Sequence, residues 1–291
     1  MHFRRNSFYY FLIAPSLLLM LWLTVYPVLN VLMLSFFDYN YIADVRLFIG
    51  FDNFKQIVSS KLFQDSFFNT LIFSLVATLF EVGLGLLLAL VFDGEFFKKK
   101  QFMTLMIFPM MLSTMVVSAI FKTLYHQDIG LFNYLLTQLG LQPVGWLINP
   151  SCALSSIILV DIWQWTPFAF ILLQASLQSI PQEIFEAARI DGARYPQIVM
   201  RITIPILFGQ IMLVAMLRTI DTFKLFGKVY ALTQGGPGNA TETLSTFIYR
   251  EGFSYFNLGR AATASLLTLF VVGLISAFYI KKIVAGEGSH G

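Results

Sequence analysis

Four ionisable side chains lie inside strongly apolar stretches of this sequence: Glu81, Asp161, Arg218 and Asp221. A charge at the centre of a lipid bilayer costs several kcal/mol, so such residues usually face a cavity or pair with an opposite charge. Glu81 and Asp161 have the chemistry of proton or sodium sites, whereas charges of both signs suit ion pairing or contact with a polar solute. These four positions are therefore the first candidates for function.

Hydrogen-bonding and aromatic groups follow Asp161 closely. They are Trp163, Gln164 and Trp165. Flat rings beside polar groups suit sugars, whose rings carry both hydroxyl groups and apolar C–H faces. The sequence also allows a second interpretation, in which the tryptophans mark a membrane interface and Asp161 caps or pairs between helices. Both interpretations stay open at this stage.

Arg218 and Asp221 are three residues apart, a spacing that on a helix permits one ion pair that neutralises both charges. The alternative is that both line a solute passage. Cys152 is the single cysteine, without the Cys/His spacing that a metal needs. The sequence contains no GxSxG, HExxH or GxxxxGK[ST] pattern. We therefore predict no metal site, no enzyme active site and no ATP hydrolysis in this chain.

The composition indicates a membrane protein. Of 291 residues, 57% are apolar and 12% are charged, with 31 Phe and 11 Met and a mean hydropathy of +0.73. Soluble domains have about 45–50% apolar and about 25% charged residues, so membrane lipid is the expected neighbour of much of this surface. The net charge of +3 is small and the basic residues form short clusters. We predict no nucleic-acid partner.

Six apolar runs are long enough to cross about 30 Å of hydrocarbon, which takes about 20 helical residues. They are Phe11 to Phe36, Phe67 to Phe92, Phe102 to Leu124, Ala153 to Leu177, Ile202 to Phe223 and Gly259 to Ile280. The predicted fold class is an all-α membrane protein with six transmembrane helices and both termini on one side. Pro109, Pro167 and Pro205 lie inside these runs and predict kinked or interrupted helices.

The basic residues set the expected orientation. Dense clusters fall on the side of the termini, and they are Arg4-Arg5, Lys98-Lys99-Lys100, Arg189/Arg194/Arg201 and Lys281-Lys282. Basic residues on the other side are spread through three longer loops. The positive-inside tendency therefore predicts cytoplasmic termini.

The segment Ser179 to Arg201 is the longest loop on the cytoplasmic side and is itself patterned like structure. Ser179 and Gln182 have capping-box spacing, and Gly192 can adopt the left-handed conformation that ends a helix. The prolines suited to first turns are Pro181 and Pro196. The pattern predicts two short helices with a turn at Gly192.

The first of these short helices has an apolar stripe, formed by Ile184, Phe185, Ala187 and Ala188. Charged residues beside the stripe are Glu183, Glu186, Arg189 and Asp191. This amphipathic pattern fits a docking surface for another protein, and it equally fits a linker that lies on the inner membrane surface.

A specific resemblance favours the docking surface. The segment contains Glu186-Ala187-Ala188, then Gly192, then Ile202 to Pro205, read as Ile-Thr-Ile-Pro. It resembles the cytoplasmic signature of binding-protein-dependent, ATP-driven (ABC) importer permeases, with Ile204 where that signature has leucine. The resemblance implies the type I importer permease fold and a loop that docks on an ATP-hydrolysing subunit. The residues implied to couple to the ATPase are Glu186, Ala187, Ala188, Asp191 and Gly192.

Two further stretches, Asp161 to Pro181 and Leu232 to Phe253, are similar to the sugar-importing branch of these permeases. The implied function is a permease subunit that forms half of the path for a sugar or oligosaccharide. Candidate path residues are Asp161, Trp163, Gln164, Trp165, Arg218, Asp221, Phe223 and Lys224. The alternatives are a glycerophosphate-type importer permease and an ion-coupled secondary transporter that uses Glu81 and Asp161.

The resemblance also implies partners and a location. The partners are a second related permease, a cytoplasmic ATPase dimer and an extracytoplasmic solute-binding protein. ATP and magnesium would be bound by the ATPase, and no cofactor by this chain, in the plasma (inner) membrane of a bacterium or archaeon. The predicted organisation is an N-terminal segment (1–66) with the first span, a permease core (67–281) containing the coupling loop 179–201, and a short cytoplasmic tail (282–291).

Overall fold

The computed structural model describes residues 3–94 and 99–287, and the surroundings of side chains 12–94 and 99–285. Three of the expected features lie outside these limits. They are the side chains of Arg4 and Arg5, Lys98 of the second basic cluster, and residues 288–291 of the tail.

The chain is mainly helical, as the composition predicts. In chain order its elements are α1 (Phe3–Leu34), β1 (Phe37–Asn40), β2 (Val45–Phe48), α2 (Asp52–Ser59), α3 (Lys61–Val91), α4 (Lys99–Met111), α5 (Thr114–Leu124), α6 (Leu131–Gln138), α7 (Pro150–Gln178), α8 (Gln182–Ile190), α9 (Tyr195–Ile198), α10 (Ile204–Phe223), α11 (Gly227–Leu232), α12 (Leu244–Tyr249) and α13 (Leu258–Glu287). Five-residue π-helical stretches lie before α10 and after α12, at Val199–Thr203 and Arg250–Ser254. The hairpin of β1 and β2 was not predicted.

Five helical segments of the described residues are long and apolar enough to span a membrane: 12–34, 61–91, 150–178, 195–223 and 258–285. The third expected span is broken, because α4 and α5 meet at an angle of 95°. Pro109 lies near the end of α4, and the Ser113 side chain then accepts a hydrogen bond from the Val116 N–H at the start of α5. The expected six spans are therefore present if the bent pair counts as one.

The chain forms two compact units. One consists of Met1–Ser60 and Phe247–Leu269, the other of Lys61–Thr246 and Phe270–Gly291. In the first unit, β1 pairs antiparallel with β2, Phe37 opposite Phe48. The buried Asn53 amide donates to the main-chain oxygens of Ser35 and Phe37, and so anchors α2 to the chain entering β1.

The second unit is organised around the packing of α3 on α7. Gly85 allows this approach, since a Cβ atom there would lie 2.6 Å from the Ala169 Cβ and 2.8 Å from the Phe170 nitrogen. α7 begins at Pro150, where the Asn149 side chain accepts from the Ser151 N–H. α10 also packs against α3 and α7. These three helices bring the charged residues of the apolar runs together.

Candidate functional site

Arg218 lies at the centre of a buried ion cluster in the second unit. Its Nε and Nη2 atoms donate to the two carboxylate oxygens of Glu81, at 2.7 and 3.2 Å. Nη2 also donates to Asp161, at 3.2 Å, and Nη1 lies 3.5 Å from Asp221. Glu81, Asp161 and Arg218 are all buried, so the guanidinium group links α3, α7 and α10 away from solvent. A bidentate pair of this kind is among the stronger ion pairs.

Lys228 completes the buried cluster from α11. Its Nζ atom is buried and contacts the second oxygen of Asp161. Burial lowers the pKa of the Lys228 amine, and the Asp161 carboxylate acts against this change. Whichever atom holds the shared proton, the total charge of this pair is zero. The sequence interpretation missed Lys228 because it was assigned to an outer loop, although a lysine beside an apolar span is a recognisable signal.

A polar cavity of about 250 Å³ opens beside the cluster. Its lining residues are Thr114, Asp161, Trp165, Arg218, Asp221, Thr222, Lys224, Leu225, Phe226, Gly227 and Lys228. The Trp165 ring lies 4.8 Å from the Arg218 guanidinium carbon, within cation–π range. The structure thus brings five of the eight predicted path residues to one cavity: Asp161, Trp165, Arg218, Asp221 and Lys224.

Three predicted path residues lie elsewhere. Trp163 is 41% exposed and lines an apolar groove with Phe121 and Leu159. Two residues on a helix are separated by about 200°, so Trp163 and Trp165 lie on opposite sides of α7. Phe223 is the second predicted path residue outside the cavity, and its side chain is buried.

Gln164 has a structural task at the break between α4 and α5. Its amide nitrogen donates to the main-chain oxygen of Leu112, at 2.9 Å. That carbonyl belongs to the two-residue interruption between the two helices, where it cannot be satisfied by a regular helical bond. Gln164 is buried and is not among the residues that line the cavity.

The first of the two short helices predicted in the segment 179–201 is present as α8, whereas α9 continues through the π-helical stretch Val199–Thr203 into α10 as one helical segment, 195–223. Gly192 ends α8 with φ +79°. The Gly192 and Ala193 N–H groups donate to the oxygens of Arg189 and Ala188, which is a Schellman cap. The capping box predicted at α8 was wrong: the Ser179 hydroxyl donates back to Ser176 at the end of α7.

The two faces of α8 have different surroundings. Phe185 and Ala188 are buried against Leu177, Ile198 and Leu207 of the same chain. The exposed face carries Glu186, Ala187, Asp191 and Gly192. Ile190 adds an apolar side chain that is 86% exposed. Of the five predicted coupling residues, Ala188 therefore packs inward, and the other four are accessible to another protein.

Comparison with known proteins identifies the family of this fold. Residues 81–286, more than half of the chain, match the model of the binding-protein-dependent transport system inner membrane component. The chain belongs to this family. It is thus a multi-pass inner-membrane permease, in agreement with its apolar helices.

Two curated relatives span nearly the whole permease. The trehalose/maltose transport system permease protein MalF of Thermococcus litoralis is 33% identical over 286 residues, which cover 98% of this chain and 95% of the relative. The sn-glycerol-3-phosphate transport system permease protein UgpA of Rhizobium meliloti is 30% identical and covers 94% of each chain. One solved structure, a bacterial ABC transporter involved in the import of the acidic polysaccharide alginate, matches with a TM-score of 0.86 at 25% identity, over 97% of this chain and 96% of the other.

The family and the buried cluster together remove one alternative. An ion-coupled secondary transporter would use Glu81 and Asp161 as ion sites. In the structure these carboxylates are engaged by Arg218 and Lys228, so neither offers an open oxygen cage to a cation.

Proposed function

We propose that this permease forms half of the translocation path of an ATP-driven importer for a sugar or oligosaccharide. The observation that carries the proposal is the near full-length similarity to a trehalose/maltose permease, together with a polar cavity among the membrane helices. A second, related permease would supply the other half of the path.

The solute path runs past the cavity residues Asp161, Trp165, Arg218, Asp221 and Lys224. The cavity combines an aromatic face with charged and hydroxyl groups, a mixture that can both stack against a sugar ring and bind its hydroxyl groups. The three other candidates hold the helices: Phe223 and Gln164 inside the unit, and Trp163 on the apolar side of α7.

The α8–α9 segment couples the membrane helices to a cytoplasmic ATPase dimer. Glu186, Ala187 and Asp191 form its contact surface, while Gly192 sets the angle between the two helices through its positive φ. Phe185 and Ala188 anchor α8 to the ends of α7 and α10, so a push on α8 is transmitted to helices that carry the cavity.

The proposal includes an orientation in the membrane and the roles of the partner proteins. The termini and the segment 179–201 face the cytoplasm, and a solute-binding protein delivers the sugar on the other side. ATP and magnesium are bound by the ATPase, so the permease itself is not an enzyme and needs no cofactor.

A phosphorylated solute is the second candidate, because UgpA is similar over nearly the whole chain. An anionic solute favours a passage with an available cation. Lys224 meets this condition at the cavity rim, since its side chain is exposed and lines the cavity.

The proposal is tested by reconstituting the complete importer in liposomes with ATP inside and following uptake of labelled trehalose or maltose. We expect ATP-dependent uptake that falls at least about tenfold in Glu186→Lys, because the reversed charge faces the partner. Gly192→Leu is expected to fall similarly, since a left-handed conformation costs about 1–2 kcal/mol for a side chain with a Cβ atom.

Gln182→Glu, an added charge at the start of α8, serves as the matched control and is expected to retain uptake. Uphill uptake without the ATPase, or full uptake by both Glu186→Lys and Gly192→Leu, would contradict the assignment.

A further inference from the structure

We propose that Glu81 determines the charge class of the solute. By cancelling the charge of Arg218, it makes the cavity a site for uncharged, hydroxyl-rich solutes and leaves anions without a binding partner at the buried guanidinium group. This inference rests on the proposed function, since it concerns the same cavity, and it separates the sugar from the phosphorylated alternative.

The contacts of Arg218 carry the first step. All three guanidinium nitrogens face a carboxylate: Nε and Nη2 face Glu81, Nη2 also faces Asp161, and Nη1 faces Asp221. The Trp165 ring lies over the guanidinium group. Arginine binds phosphate and carboxylate ligands through a free two-donor edge, and here the protein's own acids hold those edges.

The charges around the cavity are three acids and three bases, and the buried ones pair with each other. In the buried layer Glu81 and Asp161 oppose Arg218 and Lys228. At the rim the cavity is lined by one acid, Asp221, whose side chain is 52% exposed and lies 3.5 Å from Arg218, and by one base, the exposed Lys224. An anion that enters would lose its hydration and meet no buried cation without a carboxylate partner, whereas a sugar has no charge to desolvate. The balance therefore selects by charge rather than by size.

Removing the charge of Glu81 from the buried cluster should reverse the preference for uncharged solutes. Its carboxylate is buried and belongs to α3, and it contributes no lining atom to the cavity itself. Glu81→Gln keeps the volume of the side chain but leaves the buried layer with two cations and one anion. Because an uncompensated charge acts strongly in a low-dielectric site, this single change should create an anion site at Arg218.

The experiment measures anion binding to the purified permease in nanodiscs. Sulfate is titrated at constant ionic strength, and binding is followed by the fluorescence of Trp165, which lies against Arg218. Glu81→Gln is expected to bind sulfate at least about tenfold more tightly than the unchanged protein, a difference of about 1.4 kcal/mol. The fluorescence change should disappear in the double variant Glu81→Gln/Trp165→Phe, because the reporter is lost. Sulfate binding itself, measured by calorimetry, should disappear in the double variant Glu81→Gln/Arg218→Gln.

Asp65→Asn is the matched control. Asp65 is an acid of the same helix, in an exposed pair with Lys61, so its loss changes the net charge equally without touching the cluster. Asp161→Asn provides a second test from α7, because it also removes one buried negative charge. It replaces Glu81→Gln in the assay if circular dichroism shows that Glu81→Gln has lost helical structure.

The outcomes separate clearly. Sulfate binding by the unchanged protein as tight as by Glu81→Gln, or no gain in a folded variant, would overturn the proposal. Equal gains in Asp65→Asn would also overturn it, since they would show a net-charge effect. The binding assay does not depend on transport. If Glu81→Gln gains sulfate affinity but the reconstituted importer takes up no sugar, the proposed function is refuted and the role of Glu81 is not.

Discussion

The guanidinium group of Arg218 is enclosed by acids on every polar edge, and this makes it the residue on which the buried cluster depends. Removing it would leave Glu81 and Asp161 in the interior, with only Lys228 to oppose them. A charge left unpaired in such a setting costs far more than the intact pair contributes.

We predict that Arg218→Gln lowers the free energy of unfolding by about 3–5 kcal/mol, measured by thermal melting of the purified permease in detergent. Lys61→Gln is the control, because it breaks an exposed ion pair on α3 and should change stability by less than about 1 kcal/mol. Equal melting temperatures for the two variants would show that the buried cluster is not stabilising.

The two tryptophans of α7 offer a matched comparison at the same scale. Trp165 lines the polar cavity and Trp163 the apolar groove. Trp165→Leu should reduce the initial uptake rate about tenfold, since a stacking surface for the solute is lost. Trp163→Leu should retain uptake, because leucine keeps the groove apolar. The opposite result in the reconstituted importer would move the path to the other side of α7.

The sequence allowed the cavity to be predicted in part. Asp161, Arg218 and Asp221 are conspicuous because each is a charge inside an apolar run. Trp165 is predicted from its aromatic face close to Asp161, and Lys224 only from the resemblance to related permeases. The pair of Arg218 and Asp221 follows from their spacing of three residues, but the distant partners were not predictable, because Arg218 and Glu81 are 137 residues apart and Lys228 and Asp161 are 67 residues apart. Only helix packing brings these pairs together, and no local spacing records it.

At the scale of elements, the crossing of α3 and α7 depends on the absence of one side chain. We predict that Gly85→Ala destabilises the permease by about 1–3 kcal/mol, because the added Cβ overpacks the contact with Ala169. Gly83→Ala is the control on the same helix. No atom lies within 4 Å of a Cβ built there, so alanine should be neutral or slightly stabilising in the same melting experiment.

The positions of the helices could be predicted from the lengths of the apolar runs, but the ends and breaks of the helices could not. Pro109 indicated an interruption, yet the 95° bend between α4 and α5 requires the Ser113 cap and the Gln164 bond to Leu112, which come from different segments. The apolar stripe of α8 was assigned to one face, whereas the helix turns Phe185 and Ala188 inward and leaves Ile184 and Ala187 outside. In a helix of nine residues such as α8, the pattern of apolar residues is too short to distinguish the face that packs inside the permease from the exposed face.

At the scale of the whole molecule, the orientation in the membrane remains a prediction from basic residues. Cys152 is the single cysteine, so Cys152→Ser gives a background for single-cysteine labelling. With an impermeant maleimide on intact cells, we expect labelling of Asp128→Cys and none of Glu183→Cys until the membrane is permeabilised. Both residues are exposed, so access to the reagent depends on the membrane side. The reverse pattern would place the α8–α9 segment outside the cell and exclude its contact with an ATPase.

The wide spacing of the buried charges has a consequence for biogenesis. The ribosome makes about 5–20 residues per second, so the 137 residues between Glu81 and Arg218 take roughly 7–27 s. For that time the newly made α3 carries a carboxyl group whose counterion has not yet been synthesised. We expect α3 to be retained at the insertion machinery until α10 emerges, and release into lipid to be a late, collective event.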